Sequence, residues 1–211
     1  MFTRLPCGFT QQPMGGEVRP AQERAALVAL YDATGGAAWS TRDGWLSATP
    51  PCSSEGVAQW GSCTAENCSY ALSPSSNATN IGWHGCAGIC CGPDGGVTGL
   101  LLMYNKLRGT LPGGVWRALP HLRQLNLYHA SLSGSLPTEV GLSTMLTNVD
   151  IDTTLMSGTV PSELSRATGL RYLDWDSTSL SGSLPTELGL ATALQYLYTY
   201  TTSLSLSLIH I

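Results

Sequence analysis

Leu107-Arg-Gly-Thr-Leu-Pro112, Leu132-Ser-Gly-Ser-Leu-Pro137, Met156-Ser-Gly-Thr-Val-Pro161 and Leu180-Ser-Gly-Ser-Leu-Pro185 are one phrase written four times. Its glycines fall at Gly109, Gly134, Gly158 and Gly182, so the period is 25, 24 and 24 residues. A fixed period of that size means one supersecondary unit stacked on copies of itself, a solenoid.

Working outward from the phrase, the preceding residues align on a second pattern. Val97, Leu100, Leu102, Asn105 and Leu107 open the series. Leu122, Leu125, Leu127, Ala130 and Leu132 follow, then Leu146, Val149, Ile151, Thr154 and Met156, then Leu170, Leu173, Trp175, Thr178 and Leu180. A fifth series begins as Leu194, Leu197, Thr199, Thr202 and Leu204. This spacing is that of a leucine-rich repeat. Alternation with period two puts the leucines on the inner side of a short strand. After each proline, stretches such as Thr138–Leu142 and Thr186–Leu190 read as short helical or 3₁₀ arcs. Each unit brings about six inward side chains, worth roughly 1.5–3 kcal/mol apiece when buried. Ordering its backbone costs on the order of 1–2 kcal/mol per residue, so a single unit cannot fold alone. The expected fold class is an α/β solenoid: a right-handed leucine-rich-repeat superhelix with parallel strands on its concave face and arcs on its convex face. Trp175 is read as core. Position nine of the template is a ladder asparagine that only Asn105 keeps; Thr154, Thr178 and Thr202 offer one hydroxyl each as partial substitutes.

The N-terminal part reads differently. Ala26, Leu27, Leu30 and Tyr31 share one face of a helix over 21–33, which Gly35-Gly36 ends. Trp39, Trp45 and Trp83 are expected to pack this cap over the first repeat and cover the sheet edge. The cysteines are Cys7, Cys52, Cys63, Cys68, Cys86, Cys90 and Cys91, none of them in the repeats. Cys52 to Cys91 read as a disulfide framework formed in an oxidising compartment. Zinc on Cys86, Cys90 and Cys91 is the rival, without the paired CxxC spacing of zinc modules. Asn67-Cys-Ser69 and Asn77-Ala-Thr79 are glycosylation sequons and agree with secretion. The resulting division is a terminal segment 1–20, a cap 21–96 with an inserted loop 53–80, repeats 97–204 and an off-pattern tail 205–211.

Charge excludes some partners. The net charge of −4 carries no basic patch for nucleic acid. No run of 18 apolar residues marks a membrane span. Residues 1–20 lack the apolar stretch of a signal peptide. With so many cysteines, the expectation is a piece of a longer extracellular or cell-surface chain, with an intracellular protein as the alternative.

The SGxLP phrase, together with Glu23-Arg-Ala-Ala-Leu-Val-Ala-Leu30, Asp43-Gly-Trp-Leu46, Cys52 and Gly82-Trp-His-Gly85, resembles the plant-type extracellular leucine-rich-repeat proteins. These include receptor-kinase ectodomains, receptor-like proteins and polygalacturonase inhibitors. The resemblance implies a disulfide-bearing helical cap in which Cys52 pairs with Cys90 or Cys91. The extra cysteines and the 53–80 insertion depart from that pattern, and Cys63–Cys68 is a plausible local bridge. It also implies recognition of a protein, peptide or glycan on the concave face, with no catalysis and no cofactor. Alternatives within it are a signalling-receptor ectodomain, a secreted inhibitor of wall-degrading enzymes and a structural or adhesive surface protein.

The outward strand positions supply the candidate contacts: Tyr104, Asn126, Tyr128, His129, Asp150, Asp152, Tyr172, Asp174, Asp176, Tyr196 and Tyr198. Asp150, Asp152, Asp174 and Asp176 are expected to form an exposed square, since rungs lie about 4.8 Å apart. Like charges that close favour a cationic ligand. The tyrosines add contact area at low entropy cost. A solvated face with no ligand is the plain alternative, and Ca²⁺ a further one for carboxylate oxygens. Asp150→Lys with Asp174→Lys is the test the sequence suggests.

Overall fold

A computed structural model describes residues 18–42, 45–48, 51–52 and 88–205. The readings made on Cys63, Cys68, Cys86, Asn67, Asn77, Trp83, the 53–80 insertion and the tail after 205 lie outside the described residues.

Helix α1 (Val18–Ala33) starts a little before the expected 21. Ala26, Leu27, Leu30 and Tyr31 are all buried. Gly35 ends the helix at φ 69°, the left-handed region where glycine has no Cβ to clash. Tyr31, Trp39 and Trp45 pack ring to ring, with Trp39 and Trp45 centroids 4.7 Å apart.

Two sheets then build in parallel. The larger has six strands: β1 (Gly88–Cys91), β2 (Val97–Leu101), β4 (Gln124–Asn126), β6 (Asn148–Asp150), β8 (Tyr172–Asp174) and β10 (Tyr196–Tyr198). All pairings are parallel except β1 with β2. The smaller has five: β3 (Arg108–Thr110), β5 (Ser131–Gly134), β7 (Leu155–Gly158), β9 (Ser179–Ser183) and β11 (Ser203–Ser205). The first four lie on the repeated phrase itself and β11 on the fifth series, a second sheet that the leucine spacing does not announce. Its glycines, Gly109, Gly134, Gly158 and Gly182, sit at φ between 78° and 104°, which is why the phrase keeps glycine there. Each proline then opens a 3₁₀ arc: Gly113–Ala118, Thr138–Leu142, Ser162–Arg166 and Thr186–Leu190. The leucines of the first four series, together with Trp116 and Trp175, are buried in one continuous core, against which Leu194, Leu197 and Leu204 of the fifth pack partly buried.

Successive turns are tied by main-chain bonds. Leu127 N–H donates to Asp150 O at 2.8 Å, Ile151 N–H to Asp174 O at 2.9 Å and Trp175 N–H to Tyr198 O at 3.0 Å. The partial ladder support that the position-nine threonines could offer is not used. Thr154, Thr178 and Thr202 donate to carbonyls three residues back in their own turns, at 2.7–2.8 Å. Rung-to-rung hydroxyl bonds come from other positions instead: Ser143 donates to Leu119 O at 2.9 Å and Thr147 to Arg123 O at 3.0 Å. Asn105 does bridge, but backward to the cap: its Nδ2 donates to Thr41 O at 2.9 Å and its Oδ1 accepts from Thr41 N–H at 2.5 Å.

The cap closes the sheet through β1. Alternation along β1 turns Ile89 into the core and Cys90 to the other face, beside Leu101 and Met103. Cys91, packed against the core, is disulfide-bonded to Cys52. Cys90 is disulfide-bonded as well, so zinc on Cys90 and Cys91 is excluded. Glu23, almost wholly buried, accepts from Val97 N–H at 3.3 Å. Burial raises its pKa, partly opposed by that bond and by Arg19.

Candidate ligand-binding face

The register of the large sheet creates columns on its open face. Gly99, Gln124, Asn148, Tyr172 and Tyr196 are aligned by the strand pairings, and so are Leu101, Asn126, Asp150, Asp174 and Tyr198. A third column follows in the turns, through Tyr128, Asp152, Asp176 and Tyr200. The predicted contact residues therefore do share one face, but at different depths.

Asn126 and Asp150 are buried, at 2% and 7% exposure. Their side chains, with that of Asp174, perform one repeated local task. Asn126 Oδ1 accepts from Tyr128 N–H at 3.0 Å, Asp150 Oδ1 from Asp152 N–H at 3.1 Å and Asp174 Oδ1 from Asp176 N–H at 3.2 Å. Each closes the turn that follows its strand, where the chain enters the left-handed region at His129, Thr153 and Ser177. The fifth rung has Tyr198 at that position. There Tyr200 N–H turns to Asp176 Oδ1 of the rung before. The expected exposed square is thus uneven: Asp150 is buried, while Asp152, Asp174 and Asp176 are partly exposed. The signal for this was present as Asn or Asp two residues before the turn, the spacing of an Asx turn.

The cluster is electrostatically costly. Asp150 Oδ2 accepts from Asn126 Nδ2 at 3.0 Å, yet burial and then Asp174 push its pKa well above the usual carboxylate range. Burial raises Asp174 to about 6, although the Tyr172 hydroxyl donates to its Oδ2 at 2.7 Å. Asp176 is raised too, first by burial. Among the described residues the ion pairs are those of Arg19 with Glu23 and Asp94, so none neutralises these four aspartates.

Aromatic groups bracket the acids. On one side Tyr104, Tyr128 and His129 cluster with centroids 5.0–5.9 Å apart. Tyr104 holds the Tyr128 hydroxyl in a hydrogen bond, which with burial raises its pKa to about 12. On the other side are Tyr172, Tyr196, Tyr198 and Tyr200, with neighbouring centroids 5.7–6.5 Å apart. A narrow recess beneath Tyr172 is lined by Leu101, Gln124, Asn126, Asn148 and Asp150. Leu101 and Met103, which the sequence reading left out of the site, make its cap end apolar.

Comparison with known proteins fits this geometry. No family model matches the chain. It is 42% identical over 74 residues to Receptor-like protein 3 of Arabidopsis thaliana, a stretch that spans 34% of this chain and 10% of that protein. Among solved structures, the PEPR1–AtPEP1 complex aligns with a TM-score of 0.57 at 22% identity, covering 86% of this chain and 21% of that one. The BIR3–SERK2 complex of Arabidopsis thaliana aligns at 0.52 and 23%, covering 67% and 75%. The chain is a leucine-rich-repeat solenoid. A plant ice-binding protein shares the solenoid at 0.51 and 19%, covering 87% and 57%. At such identities the structural likeness concerns the fold, while the sequence likeness is to a plant receptor-like protein. No helix among the described residues of the solenoid is long and apolar enough to cross a membrane.

Proposed function

We propose that this solenoid is a non-catalytic recognition module, part of the ectodomain of an extracellular or cell-surface receptor-like protein. It binds a protein, peptide or glycan on the open face of its large sheet. One observation carries the reading: partly buried aspartates with no counter-cation among the described residues lie between two partly exposed aromatic groups. A soluble protein with no partner gains nothing from keeping such groups together, since their raised pKa values report lost stability at neutral pH. The cysteine framework and sequons support secretion. Peptide and glycan arrays probed with the wild type and with Tyr172→Ala/Tyr198→Ala test the reading. Wild-type signals that vanish in the variant are expected; signals that persist unchanged would place recognition elsewhere.

A further inference from the structure

We infer that the acidic centre of this face receives an arginine side chain from an extended basic peptide crossing the rungs, an assignment that rests on the recognition reading above. Charge complementarity is the first support. Asp150, Asp152, Asp174 and Asp176 come together on adjacent rungs, paired in register through Asp150 and Asp174. No cation of the described chain offsets them. The four acids divide the labour. Asp150 is buried and Asp174 has both oxygens engaged, by Asp176 N–H and the Tyr172 hydroxyl. Asp152 and Asp176 stand in the outer column, partly exposed, and are the carboxylates a ligand meets.

Aromatic placement favours a guanidinium over an ammonium. Tyr128 lies one rung before Asp152, and Tyr200 one rung after Asp176. A planar guanidinium stacks on such rings while its N–H fork meets carboxylate oxygens; a lysine ammonium does only the second. A neutral sugar stacks as well but leaves the carboxylates without a counter-charge. From Tyr128 to Tyr200 the face spans three rung spacings of about 4.8 Å, or roughly 14 Å, the length of about four extended residues. The binding segment is therefore short, with one basic side chain at its centre and ring-packing groups on either side.

The test uses fluorescein-labelled acetyl-Arg-Gly-Arg-Gly-Arg amide and its Lys and Glu analogues in fluorescence anisotropy. A neutral β-linked glucose pentasaccharide is followed by calorimetry. The protein is the wild type, Asp152→Asn/Asp176→Asn and Tyr198→Ala. Asparagine keeps an oxygen for the Thr153 hydroxyl and the Tyr200 N–H and removes two like charges, so the double variant should melt no lower than wild type. The expected result is tighter binding of the Arg peptide than of the Lys peptide, none of the Glu peptide, and a loss of about tenfold in the double variant. Arg-peptide affinity unchanged by the double variant overturns the arginine assignment. If the pentasaccharide then binds and Tyr198→Ala abolishes it, the recognition face stands with a sugar ligand. If no probe binding responds to either variant, both readings fall.

Discussion

At the scale of single residues, the telling column is Asn126, Asp150 and Asp174. The sequence marked these positions as outward, which they are, and missed that each side chain is spent on its own turn. An outward position in a strand says nothing about depth when a neighbouring tyrosine lies across it. The distinction changes what a mutation does. Asp150→Lys would bury an ammonium where only 7% of the residue is exposed, so the sequence-derived test would report unfolding. Amides separate Asp150 from Asp174. In Asp174→Asn the Tyr172 hydroxyl, now a donor, rotates to accept from the new amide, and the costly charge is gone. In Asp150→Asn the new amide faces Asn126 Nδ2, itself a donor, and Asn126 is held in place by Tyr128 N–H. Thermal melts at pH 7 should show Asp174→Asn raised by roughly 2–4 °C and Asp150→Asn lowered by a similar amount, about 1 kcal/mol each. The pH dependence follows from sign. Folded Asp174 titrates at about 6, above its ordinary range, because it is buried and faces Asp152 and Asp176. The native state therefore holds a proton that the unfolded chain has released. Its stabilising share is complete below the ordinary aspartate pKa and is lost as pH rises through about 6. Melting temperature should fall between pH 5 and 7 in wild type, and fall less in Asp174→Asn; equal slopes would refute the assignment.

At the scale of elements, the large sheet, its register and the arcs were legible because leucine spacing and the glycine–proline phrase repeat without slip. The small sheet was not. Strands such as Ser179–Ser183 are mostly serine and glycine, residues with little β-propensity, and they become strands because the matching segment of the next turn lies one rung away. The left-handed turns were only half marked, by the Asn or Asp ahead of His129, Thr153 and Ser177, since the residues that take φ of 50–56°, Tyr104 and Thr201 among them, are not glycine. Asn105 shows how position within the stack decides a residue's job. In the first turn it secures the cap loop through both bonds to Thr41; in the second turn Ala130 fills the same position with no such partner. Replacing Asn105 with Ala should cost about 1–3 kcal/mol, the usual range for stranding a buried partner. The loss should appear as faster amide exchange at Thr41 with little change at Ile151. Uniformly faster exchange across all turns would mean that Asn105 supports the whole ladder instead.

At the scale of the whole molecule, stability is a chain of neighbour contacts, because each turn touches only the turns beside it. The cap is then the one element that no repeat can replace. It covers the first rung through β1, through Arg108 N–H donating to Thr34 O at 2.9 Å, and through Glu23 on Val97. Family resemblance left Cys90 and Cys91 both open as partners of Cys52. Strand alternation decides between them, since Cys91 packs against the core and Cys90 lies on the opposite face. The Cys52–Cys91 bond closes a separation of 39 residues. Chain-entropy reasoning puts the value of such a loop at about 4 kcal/mol. Substituting both cysteines with serine should remove that amount from the cap and little from the far rungs. Hydrogen exchange should therefore quicken at Leu27, Leu30 and Leu100 while Leu173 and Trp175 stay protected. A single cooperative loss at both ends would show instead that the solenoid folds as one unit, and that recognition on the acidic rungs depends on a cap several turns away.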